Sequence, residues 1–325
     1  MKIRVPDYFP EFKCIADRCD DSCCIGWEID IDDKTLDKYA NLGGKIGAEI
    51  RKKTQHGYFP LKKNGKCVFL DDNGLCRIIS ALGDGYLCDI CREHPRYYGI
   101  GKCGLEGGLG LACPEAARII LSHKDRPEFT VTEASPAFIS EDKFKDKCDE
   151  IRELIYNVIY STPPEKLCNA ILNLAIYADN VAFSLLSGTE MPLLNTTESE
   201  CDLSLLLAEA YKTFNECEAL CSEWKQILKR AEEEIDPNKL NKSITENETE
   251  FRNLLFYFTH RYQRESVEDM TMGSKVLLAL ASGLIILATA EISHSIQRAA
   301  VLFSKNIEYS TDNIDLIIDN LSTFL

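Results

Sequence analysis

Ten of the chain's fifteen cysteines fall within its first 113 residues, and no other feature limits the possible folds as strongly. They are Cys14, Cys19, Cys23, Cys24, Cys67, Cys76, Cys88, Cys91, Cys103 and Cys113; the other five, Cys148, Cys168, Cys201, Cys217 and Cys221, are scattered. Thiols at this density ligate metal, take part in redox chemistry or form disulfides. The N-terminus, MKIRVPDYFPEFKC, has charges and prolines where a secretory segment needs an apolar run, so a cytoplasmic location is expected. In that reducing compartment a metal or redox role precedes a disulfide framework, and the odd count suits disulfides poorly.

The charges divide at a similar place. Through residue 125 the chain carries 19 basic and 19 acidic side chains; the totals of 37 and 52 leave 18 and 33 for the remainder, which therefore holds the whole net charge of −15. Two regions are expected, a cysteine-rich module over 1–125 and an acidic helical domain over 126–325. The acidic balance argues against nucleic acid, whose phosphates require clustered Lys and Arg. The longest apolar run, Val276 to Ala290, falls short of the roughly 20 residues that span a bilayer, so no membrane partner is expected and the run reads as a buried core helix.

Beyond about Lys145 the apolar period is helical. Ile151, Leu154, Ile155, Val158 and Ile159 form one face, and Thr162-Pro-Pro-Glu165 reads as a capping box that starts a helix ending at Ser187-Gly188. Leu203, Leu207, Tyr211, Phe214, Cys217, Cys221, Trp224 and Leu228 predict one long helix with Cys217 and Cys221 as packing thiols. The polar stretch after Asp236 reads as a loop, and further helices are expected at about 247–264, 271–304 and 310–324. The first region, broken by glycines every few residues, reads as loops and short helices. The expected fold is mainly α, a loop-rich cysteine-cluster module packed on an α-helical bundle.

The spacings Cys14-x4-Cys19-x3-Cys23-Cys24, Cys67-x8-Cys76, Cys88-x2-Cys91 and Cys113 supply more thiolates than one structural zinc needs. Irregular spacing ranks an iron–sulfur cluster above zinc, with disulfides third. The glycine strings around 101–110 match neither a Walker loop nor a dinucleotide fingerprint. The five histidines are too dispersed for a triad, although His94 has Glu93 and Arg96 beside it.

The strings FKCIADRCDDSCCIGWEIDID (12–32), CVFLDDNGLCRI (67–78), LCDICREHPRYY (87–98) and LACPEAARIIL (111–121) resemble the cysteine-rich region of the flagellin lysine-N-methylase family. LLFYFTHRY (254–262) and LFSKNIEYSTDNIDLI (302–317) are similar to its distal part, so the resemblance is expected to run over most of the chain. It implies methyl transfer from S-adenosylmethionine to lysine side chains of flagellin by a protein carrying a 4Fe–4S cluster. The cysteines in family-like motifs are Cys14, Cys19, Cys23, Cys24, Cys67, Cys76, Cys91 and Cys113, with Cys14, Cys19, Cys23 and Cys91 the first choice for cluster ligands; Cys88 and Cys103 stand outside them. The cysteine motif is shared with small metal-chelating domains, so a non-enzymatic metal-chelating or metal-delivery module on a helical scaffold is the alternative.

Methylation needs a neutral lysine amine, which calls for a desolvated site or a base. The candidate catalytic residues are Tyr257 and His260 on one helix and His94 one turn beyond Cys91. Trp27 offers an aromatic face to a sulfonium and Arg96 stands near the cluster, so both are candidates for binding the cofactor. The cluster is expected to be structural, or to ligate the cofactor through an open iron. The acidic helical part either steers a lysine-presenting protein or is simply solvated.

Overall fold

The computed structural model describes residues 3–19, 21–101, 104–132, 143–194, 202–265 and 270–325; Cys103 and Cys201 lie outside them. In chain order the elements of the first part are β1 (Ile3–Pro6), β2 (Ile29–Asp30), α1 (Asp33–Ala40), α2 (Gly44–Lys53), β3 (Tyr58–Phe59), α3 (Arg77–Leu82), α4 (Asp89–Glu93), β4 (Arg96–Gly101), β5 (Gly104–Leu109), α5 (Pro114–Leu121) and β6 (Phe129–Thr132). The rest is helical: α6 (Lys143–Ser161), α7 (Pro164–Ser187), α8 (Leu203–Glu216), α9 (Ser222–Glu234), α10 (Pro237–Glu246), α11 (Glu248–Tyr262), α12 (Met272–Ser293), α13 (Ile296–Asn306) and α14 (Thr311–Leu321). The mainly α expectation holds, with 14 helices and few strands among the described residues.

The helical part is organised by α12, in which every residue from Met272 to Ala290 is buried. A helix apolar on all faces must be covered on all faces, and α7, α8, α9, α11, α13 and α14 all pack against it. By length and composition α7 and α12 could each cross a membrane, but in this fold the apolar stretch of α12 is largely enclosed by protein.

Several expected boundaries move. The seam from Leu203 to Leu228 is two helices, because Cys217 turns extended after α8 and Cys221 is the extended N-cap of α9. Both thiols still pack on the core as expected. The expected loop after Asp236 is α10, started by the Asp236 carboxylate accepting from Lys239 N at 2.9 Å with Pro237 at the first helical position. The expected 271–304 helix breaks at His294, whose φ of 57° is left-handed. Thr162 does not cap α7, where Pro163 takes the N-cap without a side-chain bond.

The first part holds a four-stranded sheet that the glycines obscured, in the order β4-β5-β1-β6, with β1 parallel to β5 and the other pairs antiparallel. Those glycines lie in strands because aromatic and aliphatic side chains cross the sheet there. A Cβ at Gly108 would stand 2.4 Å from the Tyr97 hydroxyl oxygen, and one at Gly107 2.8 Å from Ile3 Cδ1. The sheet takes β1, β4 and β5 from one side of residue 125 and β6 from the other, and Tyr8, Phe12, Leu109, Leu111 and α5 share the core of the helices. A second, smaller core gathers Ile31, Tyr39, Ile50, Phe59, Phe69, Ile78, Leu87 and Cys88.

A buried ionic group ties the sheet to α6. Glu106 on β5, 1% exposed, accepts from Arg152 at 2.7 and 3.0 Å and from Arg4 at 2.8 Å. Burial pushes this carboxyl up, but Arg152, His260 and Arg4 outweigh burial and hold it near pH 2, at about 2. Its stabilising effect is therefore present above the ordinary carboxylate range and lost as pH falls towards 2. Glu106→Gln leaves the buried Arg152 guanidinium with only Asp149, at 2.8 Å, as a carboxylate partner, and urea unfolding is expected to show a loss of about 3 kcal/mol; a loss below about 1 kcal/mol would contradict this role.

Candidate active site

The thiols form two adjoining groups. Cys23 interacts electrostatically with Cys14 and Cys113, and Cys113 with Cys19 and Cys14. Cys91 interacts with Cys88, Cys24 and Cys23, and Cys67 with Cys24 and Cys76. The neighbours Cys23 and Cys24 join the groups through a thiol–thiol hydrogen bond, which lowers Cys24 to about 7 and raises Cys23. A second such bond lowers Cys88 to about 7 and raises Cys91. Burial pushes Cys67 up to about 11 and raises Cys113.

Local structure explains these positions. Cys76, Cys88 and Cys113 are the extended N-caps of α3, α4 and α5, so three separate helix starts deliver thiols. Cys67 N donates to Cys24 O at 2.8 Å, stapling the 60s loop to the Cys23-Cys24 turn. Of the first-choice ligands, Cys14, Cys19 and Cys23 share the group containing Cys113, whereas Cys91 belongs with Cys88. Cys88, which the family-like motifs left out, is fully buried and bonded to Cys91; its C-x2-C spacing was the available signal. Every described cysteine from Cys14 to Cys113 is a free thiol. Among the described residues no three Cys, His, Asp or Glu side chains already surround one metal position. The donor chemistry suits a soft metal or an iron–sulfur cluster, and Cys23 with Cys24 and Cys88 with Cys91 are neighbouring thiol pairs.

Next to this region is a cleft of about 500 Å³ between the α4–β4 segment and the end of α13, lined by Trp27, His94, Arg96, Tyr97, Arg261 and Glu308 among others. His94 is held neutral, at about 4, first by burial and then by Lys305, and its buried Nε2 has no hydrogen-bond partner. The Trp27 and His94 rings lie 6.5 Å apart, and Lys305 Nζ stands 5.5 Å from the Trp27 ring while pairing with Asp21 at 2.6 Å. At the back of the cleft the Glu308 carboxylate, 2% exposed, accepts from Tyr257 at 2.9 and 3.1 Å, from Tyr262 at 2.8 Å and from Arg261 at 3.3 Å. The Arg261 guanidinium lies 4.7 Å from the Tyr97 ring centre, and burial pushes Tyr97 up to about 12. Arg96 is 5.1 Å from the Phe12 ring centre.

Three of the five singled-out catalytic and cofactor candidates line one cleft, His94 and Arg96 from the α4–β4 segment and Trp27 from a separate one. Tyr257 lies behind it, its hydroxyl donating to Glu308 and accepting from Arg261 and from Leu111 N. His260 does not reach the cleft: its Nε2 donates to Gly107 O at 3.0 Å, and Tyr156 stands 3.4 Å from Nδ1. Glu308 and Lys305 were missed, although both occur in the string at 302–317.

Three curated proteins show what the chain is similar to. The flagellar biosynthetic protein FliU of Salmonella muenchen is 35% identical over 138 residues, which are 38% of this chain and 80% of that protein. The chain belongs to the flagellin lysine-N-methylase family. Lysine-N-methylases of Salmonella choleraesuis and Salmonella typhimurium are also 35% identical over 138 residues, but the match spans only 34% of each. At 38% of this chain the matched stretch is shorter than the extent expected from the strings at both ends. No family model matches, and no solved structure matches.

Burial holds His260 at about 4, while in the unfolded chain it titrates near 6.5. Below that pH the unfolded state takes up a proton that the folded state refuses, so stability falls as pH drops from about 6.5 to about 4. His260→Gln should remove about 2–3 kcal/mol of the stability difference between pH 7 and pH 4.5 measured by urea unfolding. Identical pH profiles for variant and parent would contradict it.

Proposed function

We propose that this chain transfers methyl groups from S-adenosylmethionine to lysine side chains of flagellin in the cytoplasm. A 4Fe–4S cluster held by cysteines of the two thiol groups completes the proposal. The names of the curated relatives support the reaction class. The observation that carries it is the cleft itself, which joins an aromatic face at Trp27, an unpartnered neutral imidazole at His94 and an apolar, partly buried interior.

The chemistry follows from these groups. A lysine ε-amine that attacks a sulfonium methyl must be neutral, and free lysine titrates near 10.4. Removing the side chain from water favours the neutral amine, and His94 Nε2 can accept one N–H and turn the lone pair towards Trp27. Glu308 is saturated by Tyr257, Tyr262 and Arg261, so it shapes the cleft without holding the substrate as a tight ammonium pair. The Trp27 face favours the sulfonium cation. When bound, the cluster supplies iron coordination for thiolates that would otherwise be mutually repelling. The acidic helical part supports encounter with a lysine-presenting surface.

A metal-chelating or metal-delivery module is the second reading, favoured by the number of free thiols. Anaerobically purified protein is expected to absorb near 400 nm and to move labelled methyl from S-adenosylmethionine to lysines of purified flagellin. His94→Ala should lower kcat about 10²-fold, the low end for a positioned proton acceptor. Reversible metal release without any methyl transfer would favour the second reading and contradict the first.

A further inference from the structure

A second cleft, of about 630 Å³, lies beside the first and shares Trp27 with it. Its apolar lining is Ile25, Val301 and Leu302, with the exposed Leu220 at the rim, and its polar lining carries two ion pairs. Lys305 pairs with Asp21 at 2.6 Å, and Arg298 pairs with Glu223. Asp21, Glu223 and Arg298 are 41%, 48% and 59% exposed, so these pairs can exchange partners with a ligand.

Resting on the methyltransferase reading, we propose that this second cleft binds the S-adenosylmethionine molecule and that the two clefts meet past the edge of Trp27, where its methyl directly faces the lysine amine in the first cleft. The two clefts differ in the chemistry each can satisfy. A free amino-acid end presents a carboxylate and an ammonium together, and the paired charges of Lys305/Asp21 and Arg298/Glu223 offer a partner for each. The apolar interior suits a nucleoside base, and the volume lies within the about 300–1,000 Å³ of small-ligand sites. The first cleft offers aromatic walls, a saturated carboxylate and one neutral imidazole, which suit the alkyl chain and amine of lysine. Lys305 Nζ stands 5.5 Å from the Trp27 ring centre, so that indole accepts a cation, and the sulfonium takes over this place when Lys305 turns to the ligand's carboxylate.

The step balances without a further reactant. The lysine nitrogen lone pair forms the new N–C bond, the methyl–sulfur bond breaks with its electron pair on sulfur, and S-adenosylhomocysteine leaves. The methylated ammonium then releases its proton to water.

The test is calorimetric binding of S-adenosylhomocysteine to the full chain, purified anaerobically, followed in parallel by quenching of Trp27 fluorescence against a Trp27→Phe control. Lys305→Met is expected to weaken binding at least tenfold and Arg298→Ala about threefold. Glu308→Gln, in the first cleft, is expected to change it less than twofold while raising KM for a flagellin peptide. Arg298 is exposed, so its variant tests the idea even where Lys305→Met folds poorly. Unchanged affinity in Lys305→Met and Arg298→Ala, in a chain that methylates flagellin, would overturn this assignment alone. A parent chain that neither binds S-adenosylhomocysteine nor transfers methyl would overturn the functional reading as well.

Discussion

Everything in the helical part answers to the burial of α12. Nineteen consecutive positions from Met272 to Ala290 avoid water, and at roughly 25 cal/mol per Å² of apolar surface this burial is a dominant favourable term. The covering helices are amphipathic by necessity, with one face on α12 and another free for other work. For α11 and α13 that other face borders the clefts. α11 places Tyr257, Arg261 and Tyr262 around Glu308, and the end of α13 places Lys305 beside Trp27. The back of the cleft is therefore set by packing far from any reacting atom.

The cysteine-rich part is constrained differently. Its own core is small, and between its short helices the chain turns repeatedly at glycines with positive φ, such as Gly65, Gly74 and Gly83. Ionic staples such as Arg77 with Glu49, at 2.8 and 2.6 Å, assist it, but a core of this size gives marginal stability on its own. Under the proposed cluster binding, the two thiol groups that meet at Cys23-Cys24 would supply the missing cross-link, because metal-binding free energy is then folding free energy. The same region carries Trp27 and His94, so holding the thiols and positioning the cleft are one requirement.

Helix periodicity made most of the second half legible, because one apolar face per helix is enough to reveal it. It misled where two short helices share a continuous seam, at Cys217 to Cys221, and where a polar sequence is helical through its cap, at Asp236. The sheet was hidden because glycines that admit Tyr97 and Ile3 across strands look locally like turns. His94, Trp27 and Arg96 were legible as chemistry-bearing residues beside the cysteines. Glu308 was not, since a single acid after a helix acquires meaning only when Tyr257, Tyr262 and Arg261 converge on it. His260 shows the reverse: a histidine in a family-like string is a core residue bonded to Gly107 O.

The central claim is that a substrate lysine enters between the α4–β4 segment and the end of α13. A flagellin peptide whose lysine is replaced by its photoreactive diazirine analogue tests this directly, with cross-linked residues read by mass spectrometry. Cross-links to residues 89–97 and 304–309 are predicted. Cross-links concentrated instead on the separate cleft that holds Arg118, Glu250 and His294 would contradict the account.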